Sequence, residues 1–381
     1  MNRISEKIEE LKKEGLFRRL KTAVKTSSAR VDFGSGELIN FSTNDYLGLS
    51  GNKRVIERAK QFADQYGAGA RASRLIAGTT KAHTDLEVEI AGFKKTDAAV
   101  VFPSGYMANL GLINSLVQKD DVLIIDRLNH ASIIDACRMN PARLFVYHHK
   151  DTEMLEKILK RCGRYRSRFI ITDTIFSMDG DMAPLKGVAE LADKYDAYII
   201  ADEAHASGIF GADGTGICEY LEVGGGRVFA MGTLSKAIGS QGGFVAGPEE
   251  LADYLINSAR PFIYTTGLAP ACCGAAIESL RIIKENSKPR ENLLKNAGYL
   301  REKLKKIGFD TLDSCSQIIP VLTKDLSLTV GLSAKLFEKG VYVPPIRPPT
   351  VPEGMCRLRI SLSAEHSLED IDYLLGCLSA C

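Results

Sequence analysis

Tyr198-Ile199-Ile200-Ala201-Asp202-Glu203-Ala204-His205, answered downstream by Val228-Phe229-Ala230-Met231-Gly232-Thr233-Leu234-Ser235-Lys236, is the stretch from which the rest of this chain can be read. Each half is a short apolar run that ends in reactive polar residues. Such a run, too short for a buried helix, reads as a strand covered on both faces. The unit recurs in both directions, at Ala98 to Phe102, Val122 to Ile125, Leu144 to Tyr147, Phe169 to Ile171 and Gly243 to Ala246, with helical-looking segments between. Strands alternating with helices predict an α/β fold, with a mostly parallel sheet between helices. Ligands bind such sheets beyond the carboxyl ends of the strands, where Asp202 and Lys236 fall.

The pattern spans residues 51–285 and predicts a large ligand-binding domain. Residues 286–381 predict a smaller C-terminal α+β domain. Its parts are a helix from Arg290 to Lys306, the run Val341-Tyr342-Val343, a proline-rich loop from Pro344 to Pro352, a strand from Arg357 to Leu362 and a helix from Leu368. Residues 1–50 read as an N-terminal arm. Its amphipathic helix is expected over 3–21 with Ile8, Leu11, Leu16 and Leu20 on the apolar face, followed by a strand at Ile39 to Ser42 and the turn Asn44-Asp45-Tyr46-Leu47-Gly48-Leu49.

Composition narrows the function. With 381 residues, 45% of them hydrophobic, the chain can bury one large core and a satellite. Forty-nine basic residues nearly cancel 47 acidic ones, leaving a net charge of +2 and no reason to expect a polyanionic partner. The absence of Trp and of a basic, aromatic-interleaved patch argues against a nucleic-acid-binding module. Nine cysteines without C-x-x-C spacing fit reduced thiols in a cytoplasmic enzyme, and no Cys/His cluster has the spacing of a metal site. The mixed-charge start, Met1 to Lys7, lacks an apolar core, so no secretory signal is expected, and no apolar run is long enough to cross a bilayer.

A carboxylate at one strand end and a lysine after a later strand are the two groups pyridoxal 5'-phosphate requires. Its aldehyde condenses with an amine, and its pyridine nitrogen draws electrons only while protonated, which a nearby carboxylate favours. Lys236 is therefore assigned to the Schiff base and Asp202 to the pyridinium. Each has a plainer reading, as a solvated lysine and a capping aspartate. Asp-Glu-Ala-His also spells a helicase box, but the chain has no Gly-Lys dipeptide and hence no phosphate loop of that kind. For the cofactor's phosphate, Ser104-Gly105-Tyr106-Met107-Ala108-Asn109 follows a strand and opens a helix, with the hydroxyls of Thr233 and Ser235 as further donors. Gly67-Ala68-Gly69-Ala70-Arg71-Ala72 lacks a preceding strand and reads as a loop. His130, just past Val122 to Ile125, could stack on a flat ring or simply cap a helix. His83, His148, His149 and His366 are read as structural.

Taken together these residues resemble the α-oxoamine synthase family of fold-type-I pyridoxal-phosphate enzymes. The resemblance rests on Asn40-Phe41-Ser42-Thr43-Asn44-Asp45-Tyr46-Leu47-Gly48-Leu49, on Thr174-Ile175-Phe176-Ser177-Met178-Asp179-Gly180-Asp181, on Asp202 to His205, and on Thr233 to Lys236 with Gly242-Gly243. The loop Ile346-Arg347-Pro348-Pro349-Thr350 is similar to the branch that serves biotin biosynthesis. Sisters that make aminolevulinate, use serine and palmitoyl thioester, or acetylate glycine usually lack that form. The branch implies condensation of L-alanine with a pimeloyl thioester, carried by CoA or acyl carrier protein, giving 8-amino-7-oxononanoate, carbon dioxide and the free thiol carrier.

The resemblance implies His130 stacked on the ring, Ser177 and His205 near the phenolic oxygen, and Gly105, Tyr106 and Thr233 about the phosphate or ring edge. It puts Thr265, within Tyr264-Thr265-Thr266, at the partner subunit's phosphate in a homodimer. Arg359 is implied as the carboxylate-binding residue, and Arg18, Asn44, Arg347 and Thr350 as substrate contacts, with Arg19 an equal candidate to Arg18. Where relatives often have Gly-Thr after the histidine, this chain has Ala206-Ser207. Two rivals remain: the sister reaction of glycine with acetyl-CoA, and a non-catalytic subunit that keeps the fold, which should lose the lysine first.

Overall fold

The structure is a computed structural model and describes residues 2–380. A helix, α1 (Asn2–Lys13), opens the chain, followed by three strands, β1 (Lys25–Thr26), β2 (Arg30–Asp32) and β3 (Glu37–Asn40). The helix is shorter than the 3–21 expected from its periodicity. Gly15 takes a left-handed φ of 66°, and Arg347 donates to the carbonyls of Gly15 and Phe17, so the chain is strapped down in extended form. Leu20 lies off the helix and fully exposed.

Helices α2 (Lys53–Tyr66) and α3 (Lys81–Lys94) lead into the main sheet. Its strands are β4 (Ala98–Phe102), β5 (Val122–Asp126), β6 (Arg143–Tyr147), β7 (Arg168–Asp173), β8 (Ala197–Asp202), β9 (Val228–Thr233) and β10 (Gly243–Gly247). Every apolar run read from the sequence is one of them. The spatial order is β4-β10-β9-β8-β7-β5-β6, parallel except for β10, which is antiparallel to both neighbours.

Burial explains why these runs are apolar at every position. Along β5, Leu123 and Ile125 enter one core layer while Val122 and Ile124 enter the other, because side chains alternate across a sheet covered on both sides. Each such fully buried Ile or Leu contributes about 1.5–3 kcal/mol. Two helices spring from strand ends and will matter below: α4 (Gly105–Leu116), capped by the Ser104 hydroxyl, and α5 (Ala131–Met139), capped by the His130 ring.

Beyond the helix Lys288–Lys306 come β11 (Ile318–Lys324), β12 (Val341–Tyr342), β13 (Pro345–Ile346) and β14 (Cys356–Ser361), with a closing helix Leu368–Ser379. β11, β14 and β13 form one antiparallel sheet. β12 has a partner the sequence did not indicate: it pairs in parallel with β3 and completes a four-stranded sheet with the N-terminal strands. The turn Asn44 to Leu49 is thereby carried against the carboxyl edge of the main sheet, with Tyr46 fully buried. Among the described residues, no helix is long and apolar enough to cross a membrane.

Candidate active site

The carboxyl ends of β5, β7 and β8 each carry an aspartate, Asp126, Asp173 and Asp202, all buried. Asp173 and Asp202 are direct neighbours in the strand register. Two buried carboxylates side by side repel, and the Asp173 carboxyl is raised well above the usual range, by burial first and by Asp202 next. Asp202 is held firmly. One oxygen accepts the Ala204 N–H at 2.9 Å and the other the Asn109 side-chain amide at 2.8 Å.

Asn109 lies one turn into α4, wholly buried. Its second N–H goes to the Ser132 hydroxyl (2.9 Å), which is 2.8 Å from Nδ1 of His130, while the His130 backbone N–H donates to Asp173 (2.7 Å). A chain of hydrogen bonds therefore joins Asp202 to His130 through Asn109 and Ser132, and the His130 backbone is tied in turn to the neighbouring Asp173. Asp202's orientation is set before any ligand arrives, as a site that must hold a fixed charge requires.

Lys236 follows β9, the neighbour of β8. The loop that presents it is closed by Thr233, whose hydroxyl donates to the Gly242 carbonyl (2.9 Å) and accepts the Ser235 N–H (3.2 Å). Burial pushes the Lys236 amine down to about 8 against the pull of Asp202 and Asp173, with Arg359 adding to the fall. A near-neutral lysine amine can act as nucleophile or base at physiological pH. Its Nζ is 2.7 Å from Nε2 of His205. His205 is held well below its ordinary value by burial, then by Lys236 and Arg359, and so is neutral.

Arg359 on β14 reaches the same place. It donates to the Ser177 carbonyl and the Ser361 hydroxyl, and at 3.4 Å to both Asn44 Oδ1 and the Tyr46 hydroxyl. Lys236, His205, Asn44, Ser177 and Arg359 are thus brought into one cluster, with Asp202 and His130 in electrostatic contact with Lys236. Gly105 at the start of α4 packs on Thr233: a Cβ there would lie 3.3 Å from the Thr233 Cβ. A Cβ on Gly243 would come within 2.6 Å of Gly105 N, so the strand and the helix N-terminus can meet only with glycine at 243.

The remaining candidates lie elsewhere. Arg18 donates to Thr350 Oγ1 (3.3 Å) and the Pro348 carbonyl, whereas Arg19 stacks over the Phe17 ring, so the structure separates that pair. Arg18, Arg19 and Arg347 border a cavity of about 780 Å³ that Phe17, Lys21, Phe337 and Tyr342 also line. β13, which precedes Arg347, is paired with β14, so this outer group adjoins the strand that carries Arg359. Tyr106 is exposed and bonded to Asp135. Thr265 sits in the segment tied to Ala72 and Ser73 through Gly267 and Thr266.

Sequence reasoning missed Asp173, Asn109 and Tyr46. Asp173 ends an apolar run just as Asp202 does, which was a usable signal. Asn109 lay within the quoted phosphate-turn segment, four residues after Gly105 and so one turn further on the same helix face.

The residues present fit pyridoxal phosphate: an amine near neutrality, a pre-oriented carboxylate one strand away, and a helix whose first amides, Gly105 and Tyr106, precede any intrahelical acceptor. Comparisons with known proteins agree. Residues 36–378 match the family model described as aminotransferase class I and II. An 8-amino-7-oxononanoate synthase from Lysinibacillus sphaericus is 43% identical over 375 residues, covering 98% of this chain and 96% of the relative. Among solved structures, a serine palmitoyltransferase from S. paucimobilis with a PLP–myriocin compound superposes with a TM-score of 0.93 at 32% identity, covering 99% of this chain and 96% of that one. An 8-amino-7-oxononanoate synthase from Francisella tularensis gives 0.79 at 30% identity, covering 90% and 97%.

Proposed function

This chain belongs to the class I and II aminotransferase family, and from that premise we propose that it is an α-oxoamine synthase using pyridoxal phosphate to condense L-alanine with a pimeloyl thioester. The products are 8-amino-7-oxononanoate, carbon dioxide and the free thiol carrier. The observation that carries the reading is the Lys236 amine, brought to about 8, placed after the strand next to a carboxylate, Asp202, that two hydrogen bonds already orient.

Pyridoxal phosphate bound here supplies an electron sink for the charge left when a bond to the α-carbon breaks. Lys236 would hold it, and its free amine then takes the α-proton as a general base. Asp202, aimed by Asn109 and the Ala204 N–H, would keep a proton on the ring nitrogen. His130, fixed at the cap of α5, would back the ring, and the Gly105 and Tyr106 amides would receive the phosphate. Arg359 exchanges its weak 3.4 Å contacts for the carboxylate of alanine, a charge-assisted pair.

Arg18, Arg347 and Lys21 make the mouth of the outer cavity cationic, which suits a pimeloyl chain with its far carboxylate better than a palmitoyl chain. The finer assembly is also a proposal: a homodimer that covers Leu75, Ile76 and Tyr264, exposed at 49%, 81% and 70%, and so delivers Thr265 to the partner's phosphate site.

The test is to incubate purified protein with L-alanine and pimeloyl-CoA or pimeloyl-acyl carrier protein, and separately with glycine and acetyl-CoA, and weigh the products. The alanine arm is expected to yield 8-amino-7-oxononanoate. Glycine in place of alanine loses one methyl contact, about 1–3 kcal/mol, and should react roughly 10- to 200-fold more slowly. Product from the glycine and acetyl-CoA arm alone would overturn the substrate assignment.

A further inference from the structure

Tyr46 is fully buried, and its hydroxyl lies 2.7 Å from Nδ1 of His205 and 3.1 Å from Oδ1 of Asn44. The other ring nitrogen of His205 meets the Lys236 amine. These contacts form a chain, Asn44–Tyr46–His205–Lys236, whose direction follows from one neighbour. Arg359 contacts both the Asn44 side chain and the Tyr46 oxygen, and a guanidinium can only donate. The Asn44 atom facing it is therefore the carbonyl oxygen, an acceptor. Tyr46 donates its single proton to that oxygen at 3.1 Å. Its own oxygen then accepts from His205, which places the histidine's proton on Nδ1 and leaves Nε2 bare.

We infer that Tyr46 is a positioning residue: with Asn44 and Arg359 it fixes His205 in the Nδ1–H form, so that Nε2 accepts a hydrogen bond from the Lys236 amine. The relay connects the arginine read as the carboxylate site to the amine read as the cofactor lysine, and it rests on that reading of Lys236. Without the Tyr46 hydroxyl, an Nδ1 proton would be buried with no acceptor, so the ring would carry its proton on Nε2 instead. The lysine ammonium would then face a donor. Protonated Lys236 would be destabilised and the free amine favoured.

The experiment uses the full-length protein freed of cofactor. Pyridoxal phosphate is added, and its condensation with the amine, which forms a Schiff base and releases water, is followed by absorbance as a function of pH. This reads cofactor capture rather than turnover. The wild-type rate should rise with the free amine, with a midpoint near 8. Tyr46→Phe should move that midpoint to lower pH by about one unit, a tenfold loss of proton affinity. Asn44→Leu should move it the same way, because Tyr46 then turns its proton toward His205. A merely structural tyrosine would lower stability and leave the midpoint in place. An unchanged or raised midpoint in folded Tyr46→Phe overturns the proposal; if that variant does not fold, the midpoint of Asn44→Leu decides in the same terms. Lys236→Ala separates the two ideas: normal capture by that variant would sink the cofactor reading itself, whatever Tyr46 does.

Discussion

Arg359 is buried to 9% exposure with three of its nitrogens already engaged, and the two contacts at 3.4 Å are long enough to be surrendered. An amino-acid carboxylate replacing them gains a charge-assisted bond worth about 1.5–3 kcal/mol. Arg359→Ala should therefore weaken alanine binding roughly 10- to 100-fold in a spectral titration of the holoenzyme. Unchanged affinity would remove Arg359 from that role. At this scale the sequence showed residues that stand alone in a motif, such as Lys236, Asp202 and His205. It hid those whose meaning is a partner. Asn109 is an ordinary helix residue until its amide is seen dividing between Asp202 and Ser132, and Tyr46 is a core aromatic until Arg359 fixes which way its proton points.

Elements were legible wherever their period was enforced by burial on both sides. All seven runs of the main sheet appear as strands because alternate residues enter different cores. The helix expected over 3–21 stops at Lys13 because its apolar face meets nothing in this chain: Ile4 is 69% exposed and Leu11 40%. The pairing of β12 was not legible for the opposite reason, since a two-residue strand carries no period and its partner lies 302 residues away.

The loop Ser177 to Asp181 is held by a cluster the sequence had left as structural. His149 bonds Asp126 (3.1 Å) and Asp181 (2.9 Å) and packs edge-on against Phe176. Burial alone would lower its pKa, but the two carboxylates outweigh that and carry it to about 9. A folded value above the unfolded one, near 6.5, gives stability that is full below pH 6.5 and fades as pH rises through 9. His149→Asn should thus cost about 1–2 kcal/mol at pH 6.5, after allowance for solvent screening, with the gap closing by about pH 9.5. Denaturant melts at both pH values check this, and a gap that does not narrow would refute it.

On the scale of the whole molecule, the site exists only because distant parts of the chain converge. β8 and β9 bring Asp202 and Lys236, β14 brings Arg359, and the N-terminal turn brings Asn44 and Tyr46 across the sheet's carboxyl edge. The α/β class and the cofactor chemistry were readable because the motifs sit at strand ends, where such sheets hold ligands. The lock between the N-terminal arm and β14 was not, since no local pattern encodes a contact between residues 44 and 359. All of it depends on Lys236 being the amine that takes the cofactor. Reducing the purified holoenzyme with borohydride, digesting it and weighing the peptides measures this directly. A pyridoxyl phosphate group on the peptide containing Lys236 is the expected result; the same added mass on a different lysine would contradict the account.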